Sequence, residues 1–224
     1  MDIMEAMRER HAVRSYTDQP IEPKAKKALQ RKIEEVNREG NLHIQLVCDE
    51  PKAFDGFMAH YGKFSGVQNY LAMIGPKGND LPERIGYYGE QLVLLAQQQG
   101  LNTCWVALTY SKVKSAYEVA AGEKLSVVIA IGYGTTQGVA HKSKSATDVS
   151  TVEGGGKAPG WFSQGVEAAL LAPTASNQQK FHLTLKEGNE VEIKPGTGFY
   201  SNIDLGIAKL HFELGAGKDN FTWA

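Results

Sequence analysis

Arg10 and Arg14, in RERHAVRSY, are the first residues whose type and spacing suggest chemistry. Four residues apart, they share one face of a helix, provided the first helix runs that far. Two guanidinium forks side by side suit a phosphate, which accepts paired hydrogen bonds from each. The same spacing also describes an arginine face turned to water. A second polar cluster, PTASNQQ at 173–179, lies between an apolar helical pattern and an apolar strand pattern. Asn177 and Gln179 each carry donors and an acceptor in one plane, the format that reads the edge of a heteroaromatic ring. A plain helix-to-strand turn has the same composition. Lys142 and Lys144, in the loop after GYGTTQG, are further phosphate ligands or simply solvated lysines.

Other chemistries fail on spacing. Gly132, Gly134 and Gly138 follow an apolar strand, but they do not spell GxGxxG, and the VAHKSKS that follows is no amphipathic helix, so a dinucleotide fold is not supported. The six histidines show no HxxxH or HxH spacing, there is no Cys–His cluster and no EF-hand loop, and no metal site is expected. GxSxG and GxxxxGK[ST] are absent, and no catalytic triad can be picked out. Cys104, in LNTCW, reads as a core thiol. With Cys48 it makes only two cysteines and no disulfide framework, which points to a reducing cytoplasm. Lys plus Arg is 24 and Asp plus Glu is 25, a net charge of −1 that does not suit a nucleic-acid partner. The apolar runs 92–96 and 127–131 are too short to cross a bilayer, and MDIMEAMRER lacks a signal-peptide core, so no membrane partner is expected either.

The elements that must position these residues follow from periodicity. Asp2 and Glu5 stand three apart at the start of a short first helix. After TDQPIEP, Ala25, Ala28, Leu29, Ile33 and Val36 keep a helical period that Gly40 is expected to stop. Leu42–Val47 alternates as a strand, Tyr70–Ile74 is a second, and Pro82–Gln99 is a buried helix ending at Gly100. Cys104–Leu108 is a short strand or buried turn, Ser111 caps a helix through Ala120, and Leu125–Ile131 is a central strand, apolar on both faces. Beyond Gly154, Gly155 and Gly156 the pattern restarts: helix from Trp161 to Ala172, strand at Phe181–Leu185, a hairpin through Gly188–Asn189, and a helix from Phe199 to Leu214. Helix, strand and second helix thus occur twice, although the two stretches share almost no identity.

RERHAVRSYTDQPI at 8–21 resembles the N-terminal signature of the FMN-dependent nitroreductases, and APTASNQQKFHL at 172–183 resembles that family's P-S-x-x-N-x-Q-P-W stretch. GYYGEQLVLLAQQQGLNTCW at 86–105 is similar to its central helix, and VVIAIGYGTTQG with HKSKSATDV to its strand, GY turn and basic tail. Family members pair as homodimers with FMN at the subunit interface, one subunit supplying arginines and basic tail, the other the Asn–Gln loop. Here the Asn–Gln loop comes only after the glycine run, the order expected of a fused pseudo-dimer. His11 and Ala12 stand where other members have Arg and Ser; Thr174, Ala175 and Lys180 depart from the second signature.

The resemblance implies an α+β fold, a mixed sheet flanked by helices and internally duplicated as a pseudo-dimer. It implies a first half, 1–153, with the phosphate-binding elements, and a shorter second half, 154–224, with the flavin-ring loop, packed as one globular unit. It implies FMN held by Arg10, His11, Arg14, Lys142, Lys144, Pro173, Thr174, Ser176, Asn177 and Gln179, with NAD(P)H as co-substrate and no catalytic residue named. The partner is a small electron acceptor such as a nitroaromatic or quinone, and the chain is a monomer or a weak homodimer. A flavin carrier, or a degenerate member without turnover, stays open beside the enzyme.

Overall fold

The computed structural model describes all residues, 1–224. Along the chain it runs α1 (Ile3–Glu9), α2 (Pro23–Gly40), β1 (Gln45–Val47), α3 (Phe57–Tyr61), β2 (Tyr70–Pro76), α4 (Leu81–Gln98), β3 (Asn102–Val106), β4 (Glu123–Gly132), α5 (Ala146–Val149), β5 (Ser150–Val152), α6 (Gly160–Ala169), β6 (Phe181–Leu185), β7 (Glu190–Pro195), α7 (Ser201–Ala216) and β8 (Thr222–Trp223). Helices accompany two four-stranded sheets, ordered β1-β2-β4-β3 and β5-β6-β7-β8, and the fold is α+β as expected. The chain forms two compact units. One contains residues 9–81 and 92–140, the other residues 1–8, 82–91 and 141–224. The second of these is larger than the 154–224 stretch set off by the glycine run.

In the 9–81/92–140 unit every neighbouring strand pair is antiparallel. β4 lies inside the sheet between β2 and β3, which explains its unbroken apolar run. Tyr70, Ala72, Ile74, Val128 and Ala130 pack into one cluster with Phe54, Phe64 and Tyr110. Ile131 joins Ala25 and Leu29 of α2 in another. α2 buries Ala25, Leu29, Ile33, Val36 and Gly40, the stripe its period requires. Its stop is one residue later than expected: Asn41 takes the left-handed conformation at φ 47° and donates its N–H to the Asn37 carbonyl. The Asn37 side chain then takes both backbone groups of Ile44, at 2.8 and 2.9 Å, so the strand ladder starts at Gln45 and not at Leu42.

The helix expected over 111–120 does not form; that stretch is turns and irregular chain. Tertiary contacts take its groups instead. Gln45 binds both backbone groups of Glu118, at 2.7 and 2.9 Å, and Val113, Ala116 and Tyr117 pack on the aromatic cluster. Val113 and Val119, β-branched, and Tyr117 weaken the helical propensity that Ala116, Ala120 and the lysines lend this stretch.

In the other unit α7 is buried on nearly all sides. Its approach to the first half of α4 is backbone to backbone. A Cβ at Gly206 would lie 2.0 Å from the Glu83 carbonyl oxygen, and one at Gly86 would lie 2.0 Å from that of Ile203. Against α6, a Cβ on Gly165 would meet the Phe212 ring at 2.6 Å. Buried His211 of α7 faces the Ala168 carbonyl through Nδ1 at 3.2 Å and Glu90 through Nε2 at 3.0 Å. The sheet of this unit is mixed: β5–β6 and β7–β8 are parallel, β6–β7 is the expected hairpin. Trp161, Phe162, Phe212, Phe221 and Trp223 pack together beside β8 at the sheet edge, mostly edge to face, with Trp161 stacked on Phe221.

Candidate functional site

The arginine segment is not helical. α1 ends at Glu9, so Arg10 and Arg14 do not share a helical face. Residues 12–16 run extended and are hydrogen-bonded on both sides. Val13 donates to the Thr103 carbonyl at 3.0 Å, Tyr16 to that of Ser65 at 3.0 Å, Thr17 to that of Tyr133 at 2.8 Å, and Ser65 to that of Arg14 at 3.0 Å. These partners are 49 to 116 residues away in sequence, and no local pattern announces them. The Tyr16 hydroxyl, buried beneath, donates to the Val13 carbonyl at 2.7 Å, and burial pushes its pKa well up. Arg14 therefore stands on a fixed backbone. Its side chain is exposed, with the guanidinium 5.8 Å from the centre of the Phe64 ring. Arg10 is buried, at 4% exposure. Both charges reach the Cys104 thiol: burial pushes that thiol up, and Arg14 and Arg10 pull it the other way. Half-buried His11 donates Nδ1–H to the Arg10 carbonyl at 2.9 Å and lies against Gly138 of the glycine loop, where a Cβ would come within 2.7 Å of its own.

The remaining seven candidates lie in the other unit, and five of them, Lys142, Lys144, Thr174, Asn177 and Gln179, form one hydrogen-bonded group. Thr174 starts it, accepting the Asn177 N–H on its carbonyl at 2.9 Å and the Gln179 N–H on Oγ1 at 3.0 Å. The Lys142 carbonyl accepts from Asn177 Nδ2 at 2.8 Å and from Gln179 Nε2 at 2.9 Å. Lys144 gives its backbone N–H to Gln179 Oε1 and its ammonium to the Gln179 carbonyl, both at 2.9 Å. Pro173 and Thr174 are half-buried, while Ser176, Asn177, Lys142 and Lys144 are exposed. Gln179 is only 2% exposed and its amide is engaged within the protein, unlike the open ring-reading edge that its type suggests.

Ser176, Asn177 and Gln179 all adopt left-handed backbone, at φ 50°, 53° and 45°. Non-glycine residues take this conformation at a cost, and it persists where the surroundings fix it. One fixing group escaped the sequence reading: Asp204, in the first turn of α7. Its carboxylate accepts the Ala175 N–H at 2.9 Å and Gln178 Nε2 at 2.6 Å from within the fold. Burial raises its carboxyl to about 6, with the Gln178 and Ala175 hydrogen bonds opposing the rise. From sequence, Asp204 reads only as an acid at a helix start.

The loop thus rests on Asp204 and is tied to the lysine segment. Asn177 retains a second N–H and a second lone pair for an outside partner. No group of His, Cys, Asp and Glu could hold a metal ion, and no helix is long and apolar enough to cross a membrane.

The sequence profile of the family described as "Putative TM nitroreductase" matches residues 2–216. The chain belongs to this nitroreductase family. Among solved structures, a "putative nitroreductase" from Thermotoga maritima is 25% identical, with a TM-score of 0.64 over 98% of this chain and 85% of the other. A "Putative NADH dehydrogenase/NAD(P)H nitroreductase" from Parabacteroides distasonis is 20% identical, with a TM-score of 0.53 over 66% of this chain and 95% of its own. A "putative nitroreductase in complex with fmn" from Desulfovibrio desulfuricans is 14% identical, with a TM-score of 0.51 over 66% and 95%. The last two share the fold. No curated protein matches the chain. The nitroreductase fold is therefore common to this chain and to a relative that holds FMN.

Proposed function

We propose that this nitroreductase-family protein binds FMN and passes reducing equivalents from NAD(P)H to a small nitroaromatic, quinone or similar acceptor. The family match across residues 2–216 is the observation that carries the reading. Two kinds of donor support the reading. An FMN phosphate calls for cations, and Arg14 and Lys142 present exposed cationic side chains on fixed backbone. A heteroaromatic edge calls for paired donors and acceptors, and Asn177 and Ser176 present them on a loop whose left-handed turns Asp204 holds. Bound FMN would supply the electron chemistry. The chain's own residues would bind and orient it: Arg10, His11 and Arg14 on the extended segment, Lys142 and Lys144 on the basic one, and Pro173, Thr174, Ser176, Asn177 and Gln179 on the loop. No protein acid or base is required for hydride transfer to a flavin, in keeping with the absence of a triad.

We read the recurrence of helix, two antiparallel strands and helix, at 23–98 (with the short helix α3 between its strands) and at 160–216, as support for an internal duplication. The functional test is an anaerobic spectrum. Purified protein should carry flavin absorbance, and NADH or NADPH should bleach it, with colour returning on addition of a nitroaromatic or quinone. Flavin that neither nucleotide bleaches would point to a carrier, and protein that takes up no FMN would refute the reading.

A further inference from the structure

We infer that Gln179 is a positioning residue: its buried amide fixes the lysine-bearing segment 142–144 onto the loop 173–179, so that the two move as one piece. The inference rests on the flavin reading for its consequence, but its structural half stands on hydrogen bonds alone.

An amide side chain carries two N–H donors and one carbonyl oxygen. Gln179 uses both donors, on the Lys142 carbonyl at 2.9 Å and on Asn177 Oδ1 at 2.8 Å, and its oxygen accepts the Lys144 N–H at 2.9 Å. The carbonyl of one residue and the N–H of the residue two further on are the pair that a parallel β-strand neighbour would bind. The side chain therefore imitates a strand partner for residue 143. Further along the chain, beyond the short helix α5, β5 pairs in parallel with β6 from Ser150↔Leu183 onward. Gln179 holds 142–144 at the start of this stretch, and after α5 the backbone of β5 takes up the pairing with β6.

The fit is chemically narrow. Glutamate would keep an acceptor for Lys144 N–H but would set a carboxylate oxygen against the Lys142 carbonyl and Asn177 Oδ1. Methionine would fill the space with neither donor nor acceptor. At 2% exposure no water stands ready to replace a lost partner, so the cost falls on the segment that Gln179 holds. The two lysines are also separated in role. The Lys144 ammonium binds the Gln179 carbonyl at 2.9 Å and anchors the segment, whereas Lys142 is held by its backbone and keeps its exposed ammonium for an anion. Gln179, the most buried residue of the loop 173–179, thereby sets where the Lys142 charge stands.

The test compares wild type with Gln179→Met and Gln179→Glu, full chain, by amide hydrogen exchange without added FMN and by FMN fluorescence titration at two salt concentrations. The expected result is that the Lys144 amide exchanges about tenfold faster or more in Gln179→Met, and by a smaller factor in Gln179→Glu, which keeps its acceptor, while amides of β6 and β7 keep their protection, and that FMN binds about tenfold more weakly in both. Lys142→Met should lower the salt dependence of FMN binding. The exposed Lys144→Met, which keeps Gln179, should speed exchange of the segment without abolishing folding, and serves if the Gln179 variants do not fold. Unchanged exchange at Lys144 would overturn the clamp, as would uniform loss of protection through β6 and β7. Faster exchange with an unchanged FMN affinity would overturn the positioning role. A wild type that binds no FMN would refute the flavin reading, while the exchange data would still decide whether the clamp exists.

Discussion

Asp204 offers the sharpest physical test of the candidate site. Its carboxylate is buried beneath the loop 173–179, and burial raises it from the ordinary 3.8 to about 6. The folded state therefore holds this proton more tightly than the unfolded chain does. The stability that protonated Asp204 contributes is full below about pH 4 and is lost as pH rises through about 6. A displacement of this size corresponds to about 3 kcal/mol between the two protonation states. Asp204→Asn removes the titration but keeps an oxygen for the Ala175 N–H. Urea unfolding of both proteins between pH 4 and pH 7.5 cancels the titration of every other group. The difference in unfolding free energy, Asn minus Asp, should grow in favour of Asn by about 2 kcal/mol from pH 4 to pH 7, most of the full displacement. A difference that does not change with pH would show that burial is offset by the Gln178 and Ala175 hydrogen bonds. A difference of opposite slope would show that those bonds outweigh burial, and either result would refute the reasoning.

Three further outcomes are expected. Arg14→Ala should weaken FMN by about ten- to a hundredfold in fluorescence titration, because a charged hydrogen bond is worth about 1.5–3 kcal/mol, and an unchanged affinity would remove Arg14 from the phosphate site. Gly206→Ala should unfold the protein or lower its melting temperature sharply in calorimetry, since the new Cβ would stand 2.0 Å from the Glu83 carbonyl oxygen, a backbone atom with no freedom to withdraw. Glu90→Ala should cost about 1–3 kcal/mol in denaturant unfolding by leaving the buried Nε2 of His211 without its partner, and Glu90→Gln, whose amide can still meet Nε2, should cost clearly less.

Local signals sufficed where the controlling interactions were local. The stripe of Ala25, Leu29, Ile33 and Val36 determined α2, the apolar run 125–131 marked an interior strand, and a Gly-Asn turn produced the β6–β7 hairpin. The residue types of Arg14, Lys142 and Asn177, and their resemblance to a family signature, pointed to the candidate site before any coordinates. Tertiary structure alone decided the backbone on which those residues stand. Arg10 and Arg14 leave the helix because residues 65, 103 and 133–135 take the backbone hydrogen bonds of that segment. The 111–120 stretch forfeits its helix to Gln45 and the aromatic cluster. Gln179 becomes an internal clamp, and Asp204 a buried support, through partners 26 to 37 residues away. Periodicity records which face of an element is apolar, but it carries no trace of which distant donor will meet which acceptor. That pairing exists only once the chain has closed on itself, and it separates a polar loop from a shaped site.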